Sequence, residues 1–234
     1  IINILTILAN TIQPTIGDYF TEKNYRRNYE ILRQITFVFF GISSVVAVGL
    51  FSLITPFVRD IWLGPSYELG WGTAVLCIVV LMVRIMGLPL NMVMGVTGLF
   101  EKEKNVGASS AILNLVVSLA LVKPYGMTGV LLGTLVSYLL QICYRYIIFF
   151  RDFLQMREEA LRYARDLGEY LAVMAAEVAL MQKVVPIVYG NGGMVLFCIC
   201  FLLCILVPLT LDAVFFGRGW RLQSIVRMVR GMRR

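Results

Sequence analysis

Long runs of apolar residues are the feature that most constrains what this chain can fold into. Seven apolar blocks are present, and they cover residues 1–13, 36–58, 73–100, 106–122, 128–150, 171–188 and 194–216. A helix needs about 17 to 25 apolar residues to cross the hydrocarbon core of a bilayer. With 59% hydrophobic and 15% charged residues, the composition is not that of a soluble domain. The sequence therefore predicts an all-α polytopic membrane protein.

The blocks predict four consecutive regions. Residues 1–150 form a transmembrane bundle with a truncated first helix and four full spans, and 151–170 form a cytoplasmic amphipathic linker. Residues 171–216 form a peripheral pair of transmembrane helices, and 217–234 form a basic amphipathic cytoplasmic tail. The chain begins Ile1-Ile2-Asn3 inside an apolar block without a methionine. We expect it to be the C-terminal part of a longer protein.

The distribution of Lys and Arg predicts the orientation. Basic residues number four in the predicted loop 14–35, two in the predicted loop 101–105, four in 151–170 and six in the tail from 218. The connections 59–72, 123–127 and 183–193, which alternate with these, contain one each. Basic residues are enriched in short cytoplasmic connections. This places the C-terminus in the cytoplasm. It also explains the net charge of +7 without a nucleic-acid partner.

The tail contains apolar residues on one helical face, with Trp220 nearby and arginines largely elsewhere. This pattern is typical of a helix that lies in the headgroup layer and is attracted to anionic lipids.

Residues that perform catalytic or metal chemistry are scarce. The chain has no histidine, and its five cysteines all lie inside apolar blocks. Cys198, Cys200 and Cys204 do not have a metal-ligand spacing. We therefore expect no metal site, cofactor, disulfide or catalytic residue, and a protein that is not an enzyme.

The third block contains a polar stripe with a cation in it. Arg84, Gly87, Leu88 and Asn91 follow the spacing of one helical face, which Gly95 and Gly98 extend. An arginine near the bilayer midplane costs about 2.5–3.5 kcal/mol on insertion scales, so it should face water or a partner. Gly87 and Pro89 predict a kink or local unwinding, and they are the candidate hinge.

Three other blocks contain matching stripes, and together the four favour a shared hydrated cavity. These stripes are Asn3, Thr6, Asn10 and Gln13; Gly107, Ser110, Ala111, Asn114 and Ser118; and Thr134, Ser137, Tyr138, Gln141 and Arg145. The candidate substrate-binding residues are Arg84, Asn91, Asn114, Gln141 and Arg145. Helix packing through small residues is the alternative for any single stripe, and Arg145 is close enough to the cytoplasmic edge to reach the interface. The last two blocks lack a continuous polar stripe. Glu177 is the exception and a candidate proton site, while Lys183 and Asp212 lie near helix ends.

Short motifs resemble a known family. They are the loop Asp60-Ile61-Trp62-Leu63-Gly64-Pro65-Ser66-Tyr67, the stretch from Gly98-Leu99-Phe100 to Asn114-Leu115-Val116-Val117-Ser118, the turn Tyr125-Gly126-Met127-Thr128-Gly129-Val130, and Leu132-Gly133-Thr134-Leu135-Val136-Ser137. In order, they resemble the Wzx-type flippases of bacterial polysaccharide repeat units (O-antigen and capsule). These belong to the multidrug/oligosaccharidyl-lipid/polysaccharide exporter superfamily. The resemblance covers about residues 10 to 150.

The resemblance implies a 14-helix transporter in which two six-helix bundles face a central cavity. This chain would hold most of the second bundle and the peripheral pair. The implied function is moving undecaprenyl-diphosphate-linked oligosaccharide across the plasma membrane by alternating access, with glycan polymerase and glycosyltransferases as possible partners. A peptidoglycan-precursor flippase and a multidrug exporter of the same superfamily are alternatives. A membrane-bound glycan polymerase or acyltransferase and a non-transporting scaffold are the other classes.

Overall fold

The computed structural model describes residues 1–20, 24–67, 70–190 and 192–216, and all elements within these ranges are helical. The α-helices are α1 (Ile2–Phe20), α2 (Tyr25–Pro56), α3 (Trp71–Val96), α4 (Phe100–Tyr125), α5 (Met127–Ile147), α6 (Arg157–Tyr189) and α7 (Met194–Phe216). Among the described residues, six helices are long and apolar enough to cross a membrane. These six helices match the six full apolar blocks, so an all-α, multi-pass membrane architecture is confirmed. The basic tail predicted for 217–234 lies outside the described residues.

Two polar segments predicted to lie between spans are largely helical. In place of a loop over 14–35, α1 continues to Phe20 and α2 begins at Tyr25. The predicted linker over 151–170 is not separate from the next span, because α6 runs unbroken from Arg157 to Tyr189. Glu158 and Glu159 lie in its first turn, where negative charge stabilises a helix N-terminus. Polar residues of these segments therefore extend the membrane helices.

The charged segment 101–105 is the first turn of α4, so its prediction as a loop was wrong. The connection is shorter: α3 ends at Val96, and Gly98 adopts a φ of +70° before α4 begins at Phe100. A left-handed φ favours glycine. The prediction erred because charged residues at a helix N-terminus resemble a loop in a hydropathy pattern.

The candidate hinge residues lie within continuous α-helix. From Trp71 to Val96, α3 has no break, and both Gly87 and Pro89 are buried. The local unwinding predicted there is therefore absent. The predicted turn after the fourth block is confirmed at Gly126, whose φ of +56° separates α4 from α5.

The first compact unit contains residues 1–39 and 71–165. Within it, α3 contacts α1 and α5, and α4 packs along α5. A Cβ at Gly129 would collide with the backbone of Leu121, and one at Gly133 would collide with Ser118. Small residues thus bring the α4 and α5 backbones together, as in many membrane helix pairs.

An aromatic cluster anchors the start of α6 in the same unit. The ring of Phe150 lies 4.8 Å from that of Tyr146 and 5.4 Å from that of Tyr163, measured between centroids. The Tyr163 hydroxyl shares a 3.1 Å hydrogen bond with Thr36 Oγ1. Tyr146 donates a 2.6 Å hydrogen bond to the carbonyl oxygen of Ala160. Both tyrosines thus have partners for their polar tips while their rings pack.

Among the described residues, the second unit contains 40–67, 70, 166–190 and 192–216. Its core joins α2, α6 and α7 through the buried residues Val48, Leu53, Met181, Val185, Tyr189, Cys200 and Cys204. At the end of this core the Tyr189 hydroxyl donates a 2.9 Å hydrogen bond to Asp60 Oδ2. Cys200 and Cys204 are packing residues here, and free buried cysteine commonly behaves as a small apolar side chain.

Candidate binding cavity

A cavity of about 190 Å³ lies in the first unit, between α1, α3 and α5. Its lining residues are Ile2 and Thr6 of α1; Val83, Arg84, Gly87, Leu88 and Asn91 of α3; and Tyr138, Gln141, Ile142 and Arg145 of α5. The polar members are two arginines, two amides, a tyrosine and a threonine. None of the lining residues is acidic. The wall is therefore polar and positively charged.

Helical periodicity explains how the chain builds this wall. On α3 the lining residues include Arg84, Gly87 and Asn91, which follow i, i+3 and i+7, and on α5 Tyr138, Gln141 and Arg145 repeat the same spacing. Four of the five candidate residues (Arg84, Asn91, Gln141 and Arg145) thus meet at one cavity. The stripes predicted on the third and fifth blocks face each other.

Arg84 lies at the centre of its helix. It is thirteen residues after Trp71 and twelve before Val96, which corresponds to about 20 Å and about 18 Å at 1.5 Å per residue. Its guanidinium carbon lies 5.0 Å from the centroid of the Tyr138 ring. This is a cation–π contact, worth about 0.5–2 kcal/mol depending on desolvation. Among the described residues, no carboxylate forms an ion pair with Arg84.

Arg145 differs from Arg84 because its charge is compensated. Its Nε and Nη2 atoms both bind Glu103 Oε1 in a short ion pair, and the two side chains are only 16% and 11% exposed. This ion pair joins α5 to the first turn of α4. Arg145 is thus fixed by a partner and does not need to extend to the membrane interface. The net positive charge at the cavity wall rests mainly on Arg84.

The two amides offer hydrogen-bonding groups. Gln141 Nε2 donates a 2.6 Å hydrogen bond to Ser110 Oγ, which holds the side chain and leaves its carbonyl oxygen as an acceptor. The Asn91 side chain lines the cavity and has no hydrogen-bond partner among the described residues. Asn91 is therefore the amide with the most freedom to bind a ligand.

Asn114 does not line this cavity. Its Oδ1 accepts a 3.0 Å hydrogen bond from Ser118, and its backbone carbonyl faces Gly133 of α5. The stripe that contains Asn114 packs against α5, which agrees with the alternative of helix packing through small residues. On α1, Thr6 reaches the cavity, whereas Gln13 packs on Gly95 of α3. A role for Asn114 in substrate binding stays a prediction.

Sequence reasoning did not identify Glu103. Its position was assigned to a loop, although Glu103, Gly107, Ser110 and Asn114 follow i, i+4, i+7 and i+11. Continuing the stripe by one turn would have placed its carboxylate on the α4 face toward α5. Tyr138 was identified as a member of a polar stripe but not as the partner of Arg84.

Comparison of the chain with protein-family models, with curated proteins and with solved structures found no match. What the cavity can bind follows from the chemistry of its wall. A cation beside uncharged amides and a threonine hydroxyl suits an anion that also has hydroxyl groups.

Proposed function

We propose that this chain is part of a flippase that moves undecaprenyl-diphosphate-linked oligosaccharide across the membrane by alternating access. The observation that supports this most is Arg84, a cation near the middle of a membrane helix, with no carboxylate partner among the described residues, in the wall of a polar cavity. Keeping such a charge in the membrane is costly unless it faces water or an anion. A diphosphate group supplies that anion.

The lining matches the two polar parts of such a substrate. A guanidinium binds phosphate oxygens through parallel N–H donors, and it does so more specifically than an ammonium group. Asn91 and Gln141 supply hydrogen-bonding groups for sugar hydroxyls. The apolar lipid tail has no need to enter a polar cavity and can stay in the surrounding hydrocarbon.

The volume limits what this wall holds. Pockets for drug-sized ligands are about 300–1,000 Å³, and the cavity here is about 190 Å³. It suits a phosphate group or a single sugar, and not a whole repeat unit. In the proposal, α1, α3 and α5 provide one wall for the charged group, and a second bundle, as the family resemblance implies, provides the other.

The proposed orientation has the C-terminus in the cytoplasm of a bacterial plasma membrane. The positive-inside distribution of Lys and Arg supports this orientation. Glycosyltransferases and a glycan polymerase would then be functional partners, and the basic tail would contact anionic lipids. Bending at Gly87 and Pro89 is the proposed conformational step.

Two related functions remain as alternatives. A peptidoglycan-precursor flippase also transports a polyprenyl diphosphate, so the same wall suits it. A multidrug exporter for cationic compounds needs a carboxylate in its wall, and Arg84 disfavours that function because it repels cations.

Export of surface polysaccharide tests the proposal. In the full-length protein, Arg84→Ala should abolish or greatly reduce export, and Arg84→Lys should restore only part of it. The matched control is Arg33→Ala, which removes another arginine that lies over a tyrosine ring, 5.4 Å from the centroid of Tyr29, and does not line the cavity. Normal export by Arg84→Ala at normal protein level would contradict the proposal.

The neighbouring genes distinguish the alternatives. Genes for glycosyltransferases would favour glycan export, whereas a gene for a regulator of multidrug response would favour the multidrug exporter.

A further inference from the structure

The second unit contains two carboxyl groups inside its helix packing. Glu177 of α6 is 1% exposed and Asp212 of α7 is 6% exposed. Both carboxyl groups lie against the same turn of α2, where Gly41 is next to Asp212 and Ser44 binds Glu177. Ser44 of α2, itself fully buried, donates a short hydrogen bond to Glu177 Oε2. Three helices thus converge on one acidic pair.

Most of the oxygen atoms of this pair lack a donor. Glu177 Oε1 and both Asp212 carboxyl oxygens have no hydrogen-bond donor among the described residues. Ser43 does not supply one, since its hydroxyl points to Met174 Sδ at 3.9 Å. Gly41 faces the site without a side chain, and a Cβ built on it would lie 4.0 Å from Asp212 Oδ2. Asp212 is therefore a buried polar side chain beside the α2 turn that binds Glu177, and it has no donor among the described residues.

Other charged groups do not neutralise the pair. Between Phe40 and Pro56, α2 has no ionisable side chain. On α6 the nearest ionisable groups on the Glu177 face are Tyr170, two turns away, and Asp166, three turns away, followed by Tyr163, four turns away, while Lys183 is on the exposed side. On α7 the nearest ionisable side chain is Cys204, two turns away. No Lys or Arg among the described residues forms an ion pair with either carboxyl group.

Two adjacent carboxylates in a low-dielectric interior cannot both stay ionised at neutral pH. Their contact is attractive only when one carboxyl has a proton, which it then donates to the other. We propose that Glu177 and Asp212 form a proton-binding site, in which the two carboxyl groups share one proton and the Ser44 hydroxyl orients Glu177. The site lies in the second unit and does not depend on the anion-binding function proposed above.

A proton fits this geometry better than a metal ion. Ca²⁺ takes about six to eight oxygen ligands and Mg²⁺ about six, whereas two carboxyl groups and one hydroxyl offer at most five oxygens. Among the described residues there is no group of three or more metal-binding side chains. Binding adds one proton from water and removes one negative charge. Release leaves two negative charges in contact, so it requires α6 and α7 to separate or water to enter.

A hydrophobic carbodiimide tests the site in the unmodified protein. Dicyclohexylcarbodiimide partitions into the membrane and reacts with protonated carboxyl groups, and mass spectrometry locates the adduct. With the full-length protein in lipid vesicles at neutral pH, we expect at least tenfold more adduct at Glu177 or Asp212 than at Glu158, whose side chain is 83% exposed. The adduct should decrease as pH is raised and should not change with Na⁺ concentration. Protection by Na⁺ at fixed pH would overturn the proposal in favour of a metal-cation site.

Infrared spectroscopy provides the second measurement. The wild-type protein should show the C=O band of a buried protonated carboxylic acid at neutral pH, and Asp212→Asn and Glu177→Gln should each remove or shift it. Asparagine can donate to Glu177 as the protonated carboxyl does, so Asp212→Asn should remain folded. The control Glu158→Gln should keep the band. Absence of the band from the wild type, or a band that neither variant changes, would overturn the proposal.

Discussion

The guanidinium carbon of Arg84 lies 5.0 Å from the centroid of the Tyr138 ring. Two helical turns further along α3, Asn91 lines the same cavity, and so does Arg145, two turns beyond Tyr138 on α5. Arg145 binds Glu103, so its charge is compensated. The two arginines at one cavity therefore have different roles: one is held by a carboxylate, and the other lies over an aromatic face with its donors available to a ligand.

The Tyr138 ring should position Arg84. Tyr138→Phe keeps the ring and should leave the affinity for a polyprenyl diphosphate within about twofold of wild type. Tyr138→Leu removes the ring and should weaken binding by about 2- to 30-fold, which corresponds to about 0.5–2 kcal/mol. Equilibrium binding of a fluorescent polyprenyl diphosphate to full-length protein in detergent provides the measurement. Equal affinities for the two variants would show that the aromatic face has no part in binding.

The ion pair between Glu103 and Arg145 should stabilise the contact of α4 with α5. Removing one partner of a fully buried pair costs about 3–5 kcal/mol, and the partial exposure here should reduce the loss for Glu103→Gln to about 1–3 kcal/mol. The double variant Glu103→Gln/Arg145→Gln should lose less than the sum of the single variants. Unfolding by SDS in mixed micelles measures these differences.

The control for that pair is Asp152→Asn. Asp152 binds Lys102 and Arg151, whose side chains are 53% and 73% exposed, and exposed ion pairs contribute little to stability. Asp152→Asn should therefore destabilise the protein less than Glu103→Gln. The reverse order would show that the α4–α5 contact does not depend on the buried pair.

Helical periodicity predicted the polar wall, because residues three and four positions apart must share a face whatever their neighbours are. That is why Arg84 could be assigned to one face with Asn91, and Gln141 to one face with Arg145, from the sequence. Periodicity does not show which neighbour a stripe meets, so the stripe with Asn114 was assigned to the cavity although it packs on α5. Glu103 was missed because the apolar block begins at residue 106, after the helix has begun at Phe100.

Close packing of α4 on α5 should make Gly129 intolerant of a side chain. Gly129→Ala places a Cβ against the backbone of Leu121, and such overpacking costs about 1–3 kcal/mol. Gly107→Ala is the matched control on α4, since its added Cβ meets no described atom within 4 Å outside its own helix backbone and chain neighbours, and alanine favours helix. SDS unfolding should show a loss for Gly129→Ala and little change or a gain for Gly107→Ala. Equal effects would contradict the close approach of the two backbones.

The hinge hypothesis predicts that a substitution of Pro89 slows transport without changing the affinity for the substrate. Pro89 lies inside a continuous helix, where its missing N–H leaves one backbone hydrogen bond unmade. Pro89→Ala restores that donor and should stiffen α3, so export should slow while affinity for a polyprenyl diphosphate stays near wild type. Export assays together with binding measurements test this. Unchanged export by a normally expressed Pro89→Ala protein would remove Pro89 from the hinge.

Binding of a polyprenyl diphosphate to full-length protein with Arg84→Gln tests the central claim most directly. A hydrogen bond to a charged group contributes about 1.5–3 kcal/mol, so the substitution should weaken binding by about 10- to 150-fold. Arg33→Gln should bind the diphosphate as tightly as the wild type does. The wild type and both variants should bind a neutral polyprenyl alcohol with the same affinity. Equal affinity of wild type and Arg84→Gln for the diphosphate would contradict the assignment of Arg84 as the anion-binding residue.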